Sequence, residues 1–376
     1  MADDLPTPFA LTDDQRDLQQ AVRAFLDRHA TSHAMRAAAE HGAGFAVDVW
    51  ERLTGELELT GLEIDADLGG TGAGFSEVAI VLHELGRTLL PVPYLSTVLA
   101  AHVLSRAGTP EAGVGSLLER IVAGARAAVV LDCDGAFALE TSAAAGAGQR
   151  EELHVCGTGR HVVDGSEADM FVIAAALNGE PTLVAIDAGA PGVSATRVPT
   201  LDLTRPQAVV VLDRVPAVRV SEPGGGGAAI AHARDLLSAA RAIEAVGAAE
   251  RCEELTIAYL GERVQFGRPI GSFQALKHRC ADLFAQLEGA RSVAAYAAFA
   301  ADHAPAELPV VAPLAELVCG EALLAIASES IQMHGGIGFT WEHDAHFYFK
   351  RAKSTELLSG GFDRQRRRVG TRAGII

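Results

Sequence analysis

The chain has 376 residues, 49% of them hydrophobic, with 48 acidic against 31 basic side chains and a net charge of -17. This length needs more than one hydrophobic core, so two or three domains are expected. The acidic balance argues against nucleic acid or an anionic membrane surface as a partner, because neither would gain from counterion release or basic attraction. No apolar run reads as a membrane span, and the opening Met1-Ala2-Asp3-Asp4 does not resemble a signal peptide, so a cytoplasmic protein is expected. Cys133, Cys156, Cys252, Cys280 and Cys319 are scattered without a Cys-x-x-Cys pair, and read as reduced, mostly buried thiols rather than a metal site.

Residues 1–120 read as a helical domain. Leu11-Thr12-Asp13-Asp14-Gln15 supplies a capping threonine and early acids, and Leu18, Val22, Phe25 and Leu26 follow at helical spacing. The glycine-rich segment 68–74 matches neither phosphate-loop nor dinucleotide spacing and reads as a turn. Phe75 to Leu90 then predicts an apolar helix ending near Pro91. Residues 121–222 change character: Val-rich stretches at 127–131, 170–174 and 208–212, bounded by Gly, Pro and Asp, predict short strands of a sandwich or barrel. Pro223-Gly224-Gly225-Gly226-Gly227 reads as a flexible boundary. From 228 to 376 the pattern is helical again, with long helices to about Arg263, from Phe273, and from Leu314 to Met333.

Two segments in the C-terminal third carry the chemistry: Arg263-Val264-Gln265-Phe266-Gly267, followed by Gln274, and Gln332-Met333-His334-Gly335-Gly336-Ile337-Gly338-Phe339. Arg263 offers a planar fork suited to a diphosphate. Gln274 and Gln332 add amides, Phe266 an aromatic surface, and Gly335 and Gly336 allow close backbone approach to phosphate oxygens. The plain alternative is a helix end with a core aromatic and an ordinary turn. At this spacing the pair resembles the two FAD-contacting motifs of the acyl-CoA dehydrogenase flavoenzymes, and the helical, strand, helical order fits that fold: an N-terminal helical domain, a β-barrel or sandwich domain and a C-terminal four-helix bundle. The resemblance implies FAD-dependent α,β-dehydrogenation of an acyl-CoA to the 2-enoyl-CoA. In that reaction a carboxylate removes the α proton and hydride leaves the β carbon for flavin N5. It also implies an electron acceptor such as an electron-transfer flavoprotein, and a homo- or hetero-tetramer in which the C-terminal bundle grips a neighbour's FAD.

Departures from the family pattern matter as much. Ungapped counting places Ser359-Gly360-Gly361 where the family carries its catalytic glutamate, and a serine has too high a pKa to serve unaided. Its backbone N–H remains a candidate for holding the thioester oxygen. Relatives with the base on the long helix align it with Leu237, which is apolar. Val163 stands where a threonine would bond flavin N5, so the chain's contacts to its own flavin look eroded. Glu244, in a small apolar stretch of the long helix, is the remaining candidate base, against the alternative of an ion pair with Arg241 or a neighbouring helix. Glu356 is a weaker one, and the run Arg364-Gln365-Arg366-Arg367-Arg368 reads as a solvated helix end. Two functions follow: a dehydrogenase with a displaced base, or the non-catalytic subunit of a heteromeric acyl-CoA dehydrogenase that contributes half of the FAD site.

Overall fold

The computed structural model describes residues 10–40, 44–107, 113–131, 137–142, 152–222 and 225–376. Helices come first: α1 (Asp13–His29), α2 (Ser32–Glu40), α3 (Val47–Gly55), α4 (Phe75–Thr88), α5 (Tyr94–Ala107) and α6 (Val114–Val122). Strands follow: β1 (Ala127–Val130), β2 (Phe137–Ser142), β3 (Glu152–Val163), β4 (Met170–Leu177), β5 (Glu180–Asp187), β6 (Val193–Val198) and β7 (Gln207–Arg219). The C-terminal part holds α7 (Gly226–Glu262), a small hairpin of β8 (Val264–Gln265) and β9 (Arg268–Pro269), then α8 (Gln274–His303), α9 (Leu308–His334), α10 (Ala345–Leu358) and α11 (Phe362–Arg372). This is the helical, β, helical order expected from sequence. Helix α7 begins inside the glycine run, at Gly226, a position that requires glycine because a Cβ there would lie 2.3 Å from the Pro181 carbonyl oxygen.

These elements form two compact units: one from Met1–Ala39, Phe75–Leu90 and Asp235–Ile376, the other from Glu40–Gly74 and Pro91–Arg234. In the second unit β4, β2, β3, β7 and β5 pair in a ring that returns to β4. Strand β1 runs parallel to β4, and β6 pairs antiparallel with β7. The ring closes over Val155, Phe171, Ile173, Val184, Val210 and Val215, all fully buried. Strand β4 begins Met170-Phe171-Val172-Ile173 with no exposed position, so its pattern is continuous rather than alternating.

The helical unit is built on caps and close backbone contacts. Thr12 accepts the Gln15 N–H at 3.2 Å while the Gln15 side chain takes the Thr12 N–H at 3.1 Å, a reciprocal capping box. Asp302 at the end of α8 caps α4, accepting from the Phe75 and Ser76 N–H groups at 2.8 and 2.9 Å and from the Ser76 hydroxyl at 2.6 Å. Helices α4 and α7 touch backbone to backbone: a Cβ on Gly86 would lie 2.3 Å from the Glu244 carbonyl oxygen, and one on Gly247 2.0 Å from that of His83. Such closeness brings polar side chains together inside the unit. His83 bonds Glu84 at 3.2 Å and Glu250 at 3.1 Å, Arg23 holds Glu84 at 2.7 Å, and Arg291 reaches Glu250 at 2.6 Å. Burial opposes charge on His83, but the bonds to Glu250 and Glu84 outweigh it and raise the imidazole to about 8. Burial likewise opposes charge on both glutamates, and their cationic partners hold them down at about 2.

Helix α9 departs from expectation. An 18-residue window within it has a mean hydropathy of 1.9, long and apolar enough to cross a membrane by length and composition. Its apolarity has another cause: it packs against α8, α10 and α11, with Ala312, Ala315, Ala322, Leu323, Ile326 and Ala327 buried. Cys252 and Cys319 are buried and Cys156 and Cys280 partly so; Cys133 lies outside the described residues.

Candidate cofactor and active site

Arg263 follows the last turn of α7, its N–H bonded to the Tyr259 carbonyl at 2.8 Å and its carbonyl accepting from Ile270 at 2.8 Å. The chain then reverses through β8 and β9, pairing Val264 with Pro269 and Gln265 with Arg268. That leaves Phe266 and Gly267 as the two-residue tip, with φ of 54° and 75°. Positive φ at both positions matches the twist of a tight hairpin, and glycine supplies it freely. For phenylalanine it is a strained conformation costing on the order of 1–3 kcal/mol. Its ring is 90% exposed and meets the Phe273 ring edge-on, with centroids 6.0 Å apart. The Arg263 guanidinium is likewise exposed and has no carboxylate partner among the described residues.

Gln274 opens α8, its amide 2.8 Å from His278 Nε2. Gln332 is exposed on the last turn of α9, and its carbonyl takes the Gly335 N–H. That bond corrects one expectation, since the Gly335 N–H is committed to the helix end and is not offered to a phosphate. Its conformation, φ 64° and ψ -142°, requires glycine, and a Cβ on Gly335 or Gly336 would meet nothing within 4 Å. Open space above two glycines at a helix end fits a ligand lying against the backbone. The two segments meet beneath this surface: Thr256 Oγ1 donates to Ser330 Oγ at 2.7 Å, and the Tyr259 and His334 rings lie 4.5 Å apart. Phe339, at 83% exposure, and Trp341 extend the apolar surface. A diphosphate with aromatic groups at either end fits this combination of cation, amides, exposed rings and open glycine backbone.

Sequence comparison decides what this surface belongs to. The acyl-CoA dehydrogenase C-terminal domain family matches residues 225–374, and the N-terminal domain family matches residues 12–124. The chain is 39% identical to the acyl-CoA dehydrogenase IpdE2 of Mycobacterium tuberculosis, over 92% of this chain and 93% of that protein. The chain belongs to the acyl-CoA dehydrogenase family. Among solved structures, the ChsE4–ChsE5 complex from Mycobacterium tuberculosis holds a chain 30% identical, with a TM-score of 0.86, over 98% of this chain and 99% of that one. Butyryl-CoA dehydrogenase from Megasphaera elsdenii shares the fold, with a TM-score of 0.85 at 23% identity over 96% of this chain and 98% of that one. This acyl-CoA dehydrogenase is therefore an FAD-dependent oxidoreductase acting on the CH–CH bond of an acyl-CoA.

At the place of the family glutamate, the backbone N–H of Ser359 donates to the Thr355 carbonyl at 3.0 Å, closing α10, so it is not a free donor for a thioester. Its hydroxyl donates to Glu316 of α9, a partner invisible in the sequence. Glu316 is buried and pinned by Arg241 at 3.4 Å and Arg368 at 3.9 Å. Arg241 thus pairs with Glu316, whereas Glu244 sits partly buried where α7 crosses Gly86. Glu356 pairs with Lys353. The C-terminal basic run is not a plain solvated face: Arg368 and Arg372 both hold buried Asp235 at 2.7 Å, and Gln365 is buried, bonded to the Ser359 carbonyl at 2.8 Å. Val163 closes β3, paired with Gln207 of β7. Residues 132–136 lie outside the described residues.

Proposed function

We propose that this chain is a subunit of an oligomeric acyl-CoA dehydrogenase, that it grips the FAD of a neighbouring subunit, and that a partner subunit brings the carboxylate base. One contrast carries this reading. The cofactor surface is built and presented, with the exposed ring of Phe266 at its edge, whereas the position of the base holds a serine tied to a glutamate that is paired with Arg241. When bound, FAD supplies the hydride acceptor. Arg263 would pair with its diphosphate, and the Gln274 and Gln332 amides, the Gly335–Gly336 backbone and the Phe266 ring would hold the rest of it. Of the segments 1–120, 121–222 and 228–376, the third supplies the FAD and oligomer contacts in this reading. The likeness to a chain of the ChsE4–ChsE5 complex supports a hetero-tetramer over a homo-tetramer. An acyl-CoA as substrate, an electron-transfer flavoprotein as acceptor and a cytoplasmic location complete the proposal.

Absorbance of the chain purified alone, and then with the product of any adjacent homologous gene, tests this. The chain alone is expected to carry little flavin and little activity, and the pair to be yellow and active. A homo-oligomer fully loaded with FAD and turning over acyl-CoA with an artificial acceptor would refute it and return the base to this chain, with Glu244 the residue to examine.

A further inference from the structure

His334 is the last residue of α9 and immediately precedes the two glycines. Its side chain is buried, and its Nδ1 lies 2.7 Å from the Ser330 carbonyl oxygen one turn earlier, so Nδ1 carries the hydrogen and donates. The ring lies 4.5 Å from that of Tyr259 on α7 and 4.2 Å from that of His343, beyond the glycine loop. A Cβ on Gly338 would come within 2.8 Å of its Cβ and 3.0 Å of the Ile331 carbonyl oxygen, so the loop folds closely back on the end of α9. One ring thus touches the end of α7, the end of α9 and the segment after the glycine loop. Tyr259 links this cluster directly to Arg263, whose N–H bonds the Tyr259 carbonyl.

The opposite ring nitrogen is telling. His334 Nε2 is buried and has no hydrogen-bond partner among the described residues. Burying an unpaired polar atom is unfavourable, so a phenyl ring of similar shape would serve stability at least as well. Burial also lowers the imidazole pKa, which keeps it neutral and keeps Nδ1–H as its single donor. A directed bond to Ser330 gives the ring one orientation, which a phenyl ring, having no donor, would not hold.

We infer that His334 is a positioning residue, holding the Gly335–Gly338 loop in register with Arg263 so that both halves of the cofactor surface face one ligand. This rests on the reading that these segments bind FAD. The test compares His334→Phe, Tyr259→Leu and Arg263→Ala in the assembled, flavin-retaining oligomer, measuring the FAD dissociation constant by reconstitution of the apoprotein and the thermal midpoint without FAD. His334→Phe is expected to weaken FAD binding roughly three- to tenfold, the range of one lost hydrogen bond, with a midpoint unchanged or raised. Tyr259→Leu is expected to weaken binding in the same direction, and decides the matter if the phenylalanine variant does not fold. Unchanged affinity in both, with Arg263→Ala impaired, overturns the inference alone. Unchanged affinity in all three overturns the cofactor reading beneath it. A loss of affinity matched by an equal loss of apoprotein stability would make His334 merely structural and overturns the inference as well.

Discussion

His83 makes the stability of the helical unit depend on pH in a calculable way. Between Glu84 and Glu250 its pKa rises from 6.5 to about 8. A group whose folded pKa lies above its unfolded one adds stability that is fully present below pH 6.5 and lost as pH rises through 8. The difference of about 1.5 units, at 1.36 kcal/mol per unit, amounts to roughly 2 kcal/mol. Glu84 and Glu250 behave oppositely: lowered from 4.5 to about 2, their contributions are present above pH 4.5 and vanish as pH falls through 2. All three act together between about pH 4.5 and 6.5. His83→Gln keeps a polar side chain but cannot titrate, so it should remove the fall in unfolding midpoint between pH 6.5 and 8 while lowering the midpoint at pH 6. Denaturation curves of wild type and variant, collected from pH 5 to 9, measure this. A wild-type midpoint flat across that interval, or an identical slope in the variant, would refute the charge assignment.

Replacing Arg263 by alanine should cost a charge-assisted pair of about 1.5–3 kcal/mol, roughly ten- to more than a hundredfold in FAD retention, and lysine should restore only part of it. Flavin occupancy of the assembled oligomer reads both. Glu244→Gln should leave turnover per bound flavin near wild type if a partner supplies the base, and should abolish it if Glu244 is the base, with folding and FAD intact. Asp302→Ala removes the cap of α4 and should destabilise the helical unit by about 1 kcal/mol, seen as faster amide exchange at Phe75 and Ser76 without change in FAD affinity.

Local signals were legible in the sequence, and contacts between distant segments were not. The capping box at Thr12 is written within four residues, and the strands at 127–130, 170–177 and 207–219 announce themselves through runs of apolar residues, valine in the first and last. Strand β3 was missed because Glu152–Val163 mixes His, Cys, Gly and Arg, its register being set by pairing with β2 and β7 rather than by its own composition. The cofactor motifs could be read because glycine and arginine there have few substitutes. What lies beneath them could not. Glu316 meets Ser359 across 43 residues of chain, and Asp302 caps Ser76 across 226. No periodicity encodes such pairs, so the serine looked partnerless and the long helix α9 looked like part of a bundle without its charged anchor.

The way the helical unit is gathered from the chain bears on how it is made. Its pieces, Met1–Ala39, Phe75–Leu90 and Asp235–Ile376, are separated by the whole of the other unit. During synthesis α1 and α4 therefore emerge long before α7, α8 and α9 exist to cover them. Helix α1 packs on α4, which buries Phe25, Leu26, Val78, Val81 and Leu82 in the finished unit, but α4 also packs on α8, and that contact must wait for the last third of the polypeptide. The ring of strands, encoded without interruption between residues 127 and 219, can close first. A nascent chain of this design spends most of its translation with its earliest helices lacking their C-terminal partners, and a ribosome that stops before residue 235 releases α1 and α4 without α8.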